Sequence, residues 1–304
     1  MEKQELIPHL FRTEHRKIVS VLCHRFGFAH IEIAEDIAGD TFAAATQTWP
    51  IKGVPENPVA WLYNVAKNKA KNHLNREAIF DEKVAPAVRR GEAKPYEFDV
   101  DLSTKNINDS QLQMMFAICH PSISAEAQIG LSLRILCGFG IDEIAEAFLT
   151  NKEAINKRLF RAKERLREEN IRIEIPAAAE IDKRLETVLT TIYLLFSEGY
   201  YSISRNQAIR TELCLEAMRL CYMLAQNKST DKPQVNALLA LMCFHTSRFD
   251  ARLSEEGDVI LYDEQDSSLW NAELISRGGH FLNRAATGKT LSKYHLEAAI
   301  ASWS

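Results

Sequence analysis

The sequence predicts an all-α protein made of several helical parts. Pro and Gly are sparse, with 9 and 12 among 304 residues, and 46% of the residues are hydrophobic, enough for more than one core. Apolar residues recur at three- and four-residue spacing through most of the chain, which is the helical period. Interruptions of that period divide the chain into segments 1–76, 77–110, 111–170 and 180–304.

The first segment ends in a helix with two contrasting faces. Asn57 is a suitable N-cap with Pro58 at the first helical position. One face is apolar, and the other carries amides and cations edged by aromatics, a chemistry that suits unstacked bases and phosphates. The residues of that face are Trp61, Asn64, Lys67, Asn68 and Lys71. The alternative is a solvated helix whose aromatics belong to the core.

An acidic helix precedes it. Asp36 and Asp40 lie one turn apart beside Ile33, Ile37 and Phe42. Such acids are usually only solvated, but they could also contact a basic partner helix.

The segment 77–110 reads as a solvated linker. It loses the apolar period, contains Pro86, Gly91 and Pro95, and has eight acidic against five basic residues.

The segment from Leu131 to Glu169 has the pattern of a helix-turn-helix. A Gly138-Phe139-Gly140 break precedes a short helix, and a third helix has apolar residues spaced 4, 3 and 4 apart at Ile155, Leu159, Ala162 and Leu166. Thr150 and Glu153 fit a capping box that starts this third helix.

The third helix is basic although the whole chain has a formal charge of -4. Residues 152–167 contain seven Lys or Arg against two Glu. In a helix-turn-helix the N-terminal half of the second helix faces the major groove, where Lys and Arg bind guanine and phosphate and Asn pairs with adenine. The predicted DNA-facing residues are Lys152, Asn156, Lys157, Arg158, Arg161 and Arg165. A solvated face on an ordinary packed helix is the alternative.

Enzyme chemistry is not predicted, and neither a cofactor nor a metal is expected. Cys23-His24 and Cys119-His120 are sequence neighbours whose side chains diverge on a helix, so they cannot easily chelate one ion. No CxxC pair, Gly-rich phosphate loop, signal-peptide pattern or apolar run of roughly 18 residues occurs, so we expect a cytoplasmic protein without membrane contact.

The order of these parts resembles the extracytoplasmic-function (group IV) sigma factors of the sigma-70 family. The resemblance rests on AEDIAGDTF, NPVAWLYNVAKNKAKNHL, the acidic linker and RLFRAKERLRE, and it covers most of residues 9–170. It implies a region 2 bundle that binds core RNA polymerase and a region 4 helix-turn-helix that reads the minus-35 element and touches the beta flap.

The resemblance also implies roles for individual residues. Asp36, Asp40, Thr41 and Phe42 would face the clamp helices of the beta-prime subunit. Asn57, Trp61, Asn64, Lys67, Asn68 and Lys71 would read the minus-10 element of promoter DNA.

Residues 180–304 resemble the helical, tetratricopeptide-like extension of one subgroup, in a shortened form. The shared runs are IYLLFSEGYY, LCLEAMRL and LYDEQDSSLW. Such a module implies a regulatory protein partner, with Glu198–Tyr201 and Asp263–Trp270 as candidate contacts, although both could close the module's own core.

Two other functions remain open. A helix-turn-helix regulator acting without polymerase would have no use for the amide-rich helix and the long linker. A pure scaffold would support no promoter-dependent transcription.

Overall fold

The computed structural model describes residues 3–84, 100–201, 207–252, 254, 260–287 and 291–303. Throughout these residues the secondary structure is helical, without a strand, which confirms the all-α prediction. The chain forms two compact units. The N-terminal unit comprises Met1–Ile144 and Asn151–Ile175, and the C-terminal unit comprises Ala145–Thr150 and Pro176–Ser304.

Seven helices lead through the first part of the chain to residue 168. They are α1 (Lys3–Phe26), α2 (Ile31–Lys52), α3 (Pro58–Val84), α4 (Thr104–Ile118), α5 (Ala125–Leu131), α6 (Ile141–Ala147) and α7 (Lys152–Glu168). Ser103 and Ser124 cap α4 and α5 by accepting from the amides of Asn106 and Ala127. Residues Ser132–Cys137 form a π-helical turn, and Gly138 ends it with a left-handed backbone.

Helix α1 is the centre of the N-terminal unit. It packs against α2, α3, α4 and the π-helical turn, so the predicted first and third segments share one compact unit. Gly138 is required at one of these contacts: a Cβ atom there would lie 2.7 Å from the Arg12 carbonyl oxygen. Phe139, next to it, is fully buried.

The predicted linker was too wide at both ends. Helix α3 continues to Val84, and α4 already begins at Thr104. The charged residues there gave no apolar period, yet Glu, Lys and Arg are good helix formers. Pro86, Gly91 and Pro95 lie outside the described residues.

Among its described residues, the C-terminal unit has five further α-helices. They are α8 (Ile181–Tyr201), α9 (Gln207–Gln226), α10 (Pro233–Thr246), α11 (Ala272–Ala285) and α12 (Lys293–Trp303). Helix α10 packs against α8, α9, α11 and α12, and every residue from Val235 to Phe244 is buried. None of the described helices is both long and apolar enough to cross a bilayer.

Candidate nucleic-acid and polymerase interfaces

Helix α7 begins one residue later than the capping-box prediction. Asn151, not Thr150, is the N-cap, and its side-chain oxygen accepts from the Ala154 amide at 2.8 Å. The Thr150 amide instead donates to the Ala145 carbonyl. Because the third helical residue is then Ala154, Glu153 is not placed to complete a capping box.

The two faces of α7 separate as the apolar spacing predicted. Ile155, Leu159, Ala162 and Leu166 are buried. On the other side, Lys152, Asn156, Lys157, Arg161 and Arg165 are exposed, and Arg158 is half-buried. Phe160 lies among these cations with 63% of its surface exposed, and sequence reasoning missed it. Its position outside the 4-3-4 apolar spacing was the available signal.

Exposed ion pairs on α7 leave its cations available to a ligand. Lys152 pairs with Asp142 at 2.6 Å, and Arg165 pairs with Glu169 at 2.7 Å. All four side chains are more than a third exposed, and such pairs contribute only about 0–1 kcal/mol. Phosphate oxygens could therefore replace the carboxylates at little cost. Lys157, Arg158 and Arg161 also line an open groove against the start of α5.

The predicted N-cap and apolar face of α3 are both present in the structure. The Asn57 side-chain oxygen accepts from the Ala60 amide at 3.0 Å, so this oxygen is engaged in starting the helix. Leu62, Ala66 and Ala70 are fully buried. Asn64, Asn68 and Lys71 are exposed on the remaining surface, whereas Lys67 is half-buried.

The predicted aromatic Trp61 has a mixed position. Its ring is half-buried and meets the buried Trp49 edge-on, with 5.5 Å between centroids. Part of Trp61 therefore supports the packing of α3 on α2, as the core alternative proposed, and part remains accessible.

The four predicted polymerase contacts on α2 differ in their exposure to solvent. Asp36 and Asp40 are exposed, and Asp40 pairs with Lys69 at 3.2 Å. Thr41 and Phe42 are buried instead. The Thr41 hydroxyl donates to the Ile37 carbonyl, and the Phe42 ring lies against Phe11. These two residues therefore belong to the core, and their predicted contact with polymerase is corrected. Both lie on the side of α2 that faces the core.

Several titratable groups near α1 are held neutral. Burial, with a smaller contribution from Arg134, lowers the pKa of His15 to about 4. Burial, then Glu35, raises the pKa of the Cys23 thiol well above its ordinary value. Burial, with the bond that Tyr63 donates to Glu14 at 2.6 Å, raises the pKa of that phenol. A buried neutral thiol is inert, so Cys23 contributes to packing rather than to chemistry.

Within the C-terminal unit the two predicted contact segments differ in exposure: residues 198–200 are half-buried, whereas most residues of Asp263–Trp270 are exposed. The Arg252 guanidinium lies over the Tyr200 ring at 3.7 Å, and Arg248 lies near the rings of Tyr262 and Trp270, at 4.8 and 4.9 Å. Leu269, by contrast, is half-exposed. Tyr201's side chain is outside the described residues. Among the described His, Cys, Asp and Glu residues, no group of three could hold a metal ion.

Comparison with known families identifies part of the chain. Residues 10–79 match the model of sigma-70 region 2. This segment of the chain is similar to sigma-70 region 2. The matched segment contains the Asp36 and Asp40 surface of α2 and the amide-rich face of α3.

The remaining comparisons do not assign an activity to the matched proteins. Residues 184–286 match a family of unknown function, DUF6596. An uncharacterized protein, R00370 of Rhizobium meliloti (strain 1021), is 31% identical over 277 residues. That alignment covers 90% of this chain and 65% of the relative, so the chain spans just under two thirds of the relative's length. No solved structure is matched.

Proposed function

We propose that this protein is a sigma factor of the extracytoplasmic-function class that directs core RNA polymerase to specific promoters from the cytoplasm. The region 2 match at residues 10–79 carries the proposal. It makes polymerase and promoter DNA the expected partners, and it makes a non-catalytic role the expected one.

The minus-35 part of the proposal depends on α6 and α7. Their short connection, the exposed Lys152, Asn156, Lys157 and Arg161, and the weak surface ion pairs all support a helix-turn-helix that reads duplex DNA. Phe160 adds an apolar group that could meet a thymine methyl.

The minus-10 and polymerase parts depend on α3 and α2. Asn64, Asn68 and Lys71 offer amides and a cation to an opened strand, with Trp61 at the edge. Asp36 and Asp40 offer carboxylates to a basic clamp surface. The C-terminal unit is assigned a regulatory protein contact through its exposed loop around Leu269.

The test is reconstituted transcription. The purified chain is mixed with core polymerase and a randomised promoter library, and transcripts are sequenced. We expect selective initiation with two enriched elements. Arg161→Ala should relax the upstream element and weaken its use about 5- to 150-fold, since a lost bidentate base contact costs about 1–3 kcal/mol.

Two further variants distinguish the contribution of α7 from that of α3 and from a general loss of charge. Asn68→Ala should alter only the downstream element. Lys228→Ala removes an exposed lysine of the C-terminal unit and serves as the charge-matched control. Binding of duplex DNA without any initiation would support the polymerase-independent regulator instead.

A further inference from the structure

The C-terminal unit contains an open groove between α9 and α11, which we name the α9–α11 groove. Its volume is about 600 Å³. Helix α10 packs against both helices and supplies the floor through Leu239 and Cys243. The rings of Tyr222 on α9 and Phe281 on α11 meet edge-on, with 6.3 Å between their centroids. All of these residues belong to the same compact unit.

The walls of the groove present apolar side chains at helical spacing. On α9, Leu215 and Tyr222 are 50% and 46% exposed, and Met218 between them is half-buried. On α11, Leu274 is half-buried and Phe281 is buried. Residues three, four and seven apart share one face of a helix, so each wall offers two turns of apolar surface. Small-molecule sites have volumes of roughly 300–1,000 Å³ and mostly apolar linings, and this groove has both properties.

The polar groups that line the groove favour an anion. Arg219 on α9 and Arg277 on α11 contribute guanidinium groups, and His280 contributes an imidazole. None of the described Asp or Glu residues is part of this lining. The carboxylates that pair with the two arginines belong to Glu216 and Glu273, each about one turn earlier on the same helix. A ligand inside the groove therefore meets cations without a carboxylate beside it.

Arg277 is the cation best placed to bind such an anion. It pairs with Glu273 at 2.6 Å, but the two side chains are 63% and 71% exposed, and exposed pairs are weak. Its charge also acts on the floor of the groove. Burial raises the pKa of the Cys243 thiol to about 12, and the charge of Arg277 opposes this rise. A ligand carboxylate can therefore replace Glu273 while the guanidinium stays near the apolar floor.

We propose that the α9–α11 groove binds a small amphipathic carboxylate, with its apolar chain along α9 and α11 and its carboxylate at Arg277. The apolar walls account for the chain, and the planar guanidinium matches a carboxylate with two parallel hydrogen bonds. The groove is distinct from the loop around Leu269, which does not line it. Binding at this site is independent of the proposed function in transcription.

Methyl NMR of the full-length chain tests the site, with decanoate below its micellar concentration as the probe. The methionine methyl groups are labelled with carbon-13, and Met218→Leu assigns the signal of the groove. The Met218 sulfur accepts from the Thr246 hydroxyl at 3.2 Å, which fixes this side chain in the lining. We expect decanoate to shift the Met218 signal saturably. Met114 and Met115, fully buried in the N-terminal unit, should not respond.

Two comparisons separate the chain from the carboxylate. Octanoate should bind roughly tenfold more weakly than decanoate, because it buries two fewer methylene groups. Arg277→Gln should weaken decanoate about three- to fivefold, the scale of an exposed ion pair, and leave the binding of uncharged decanol unchanged. Lys228→Gln, which removes an exposed lysine of the same unit, should alter neither ligand. Equal weakening of decanoate and decanol by Arg277→Gln overturns the assignment of the carboxylate.

A third comparison tests the apolar wall. Leu215→Gln should weaken decanoate and decanol alike, by about fivefold, because the wall loses apolar contact with the chain. Leu296→Gln changes a leucine of similar exposure on α12, outside the lining, and should alter neither. The other methionine signals report folding, and Leu215→Ala replaces Leu215→Gln if that variant unfolds. A Met218 signal that decanoate does not shift saturably, or parallel shifts at Met114 and Met115, overturns the proposal.

Discussion

Helices α7 and α10 belong to different units, and they are buried in opposite ways. In α7 one stripe of four residues is buried and the remaining surface is cationic and accessible. In α10 the whole circumference is buried from Val235 to Phe244. A helix with one buried stripe keeps a face for a ligand, whereas a helix that is apolar all round can only support its neighbours. The N-terminal unit therefore presents accessible cations to a ligand, whereas α10 supports the packing of its neighbours.

The largest expected effect tests the scaffold side of this contrast. Leu238 on α10 is fully buried, so Leu238→Ala should lower the free energy of unfolding by about 3 kcal/mol. Phe160→Ala on α7 should change it by less than about 0.5 kcal/mol, because that ring is exposed. Urea denaturation measures both. Equal losses would mean that α7 is as structural as α10.

The next effect concerns the contact between α10 and α11. A Cβ atom at Gly278 would lie 2.6 Å from the Phe244 ring, so Gly278→Ala should destabilise the C-terminal unit by about 2 kcal/mol. Gly279→Ala is the matched control on the same helix, since a Cβ there meets nothing within 4 Å. It should stabilise the helix by about 0.5–1 kcal/mol. Thermal melting of both variants checks the opposite signs.

These cases show what the sequence could and could not supply. The 4-3-4 spacing predicted the buried stripe of α7, and Asn57 with Pro58 predicted the start of α3, because both are local patterns. The Gly138 break was visible in the sequence, but its contact with Arg12 was not. Contacts such as Glu35 with Lys163 join residues 128 positions apart, and no local period encodes them.

The candidate site was predicted in a similar way. Exposed cations and amides on α7 and α3 follow from which positions lie outside the apolar stripe. Thr41 and Phe42 were assigned by the resemblance of a whole segment. That assignment took no account of their position on the helix, where both are buried. Phe160 was missed because only the polar residues outside the apolar spacing were assigned to the exposed face, although its position gave the same signal.

The pH dependence of stability compares the two units through one histidine in each, His15 and His245. Burial, then neighbouring arginines, lowers the pKa of His245 to about 4, as for His15. Both folded-state values lie below the ordinary 6.5, so the unfolded chain binds more protons between these limits. Stability is therefore full above pH 6.5 and is lost as the pH falls toward 4.

Each histidine should cost about 2 kcal/mol of unfolding free energy between pH 7 and pH 5. Urea denaturation at these two pH values measures the loss. His15→Gln and His245→Gln should each flatten the pH dependence by one histidine's share. A pH dependence that neither substitution changes would assign acid sensitivity to other groups.

The smallest effect separates the two candidate caps of α7. Asn151→Ala removes the oxygen that accepts from the Ala154 amide, and loss of an N-cap costs about 1 kcal/mol. Thr150→Ala should cost less than about 0.5 kcal/mol, since the exposed Thr150 lies one position before the cap. Because Lys152, Asn156 and Lys157 lie in the first two turns, Asn151→Ala should also weaken duplex binding more than Thr150→Ala does. Denaturation and fluorescence anisotropy check the pair, and the reverse order would restore Thr150 as the cap.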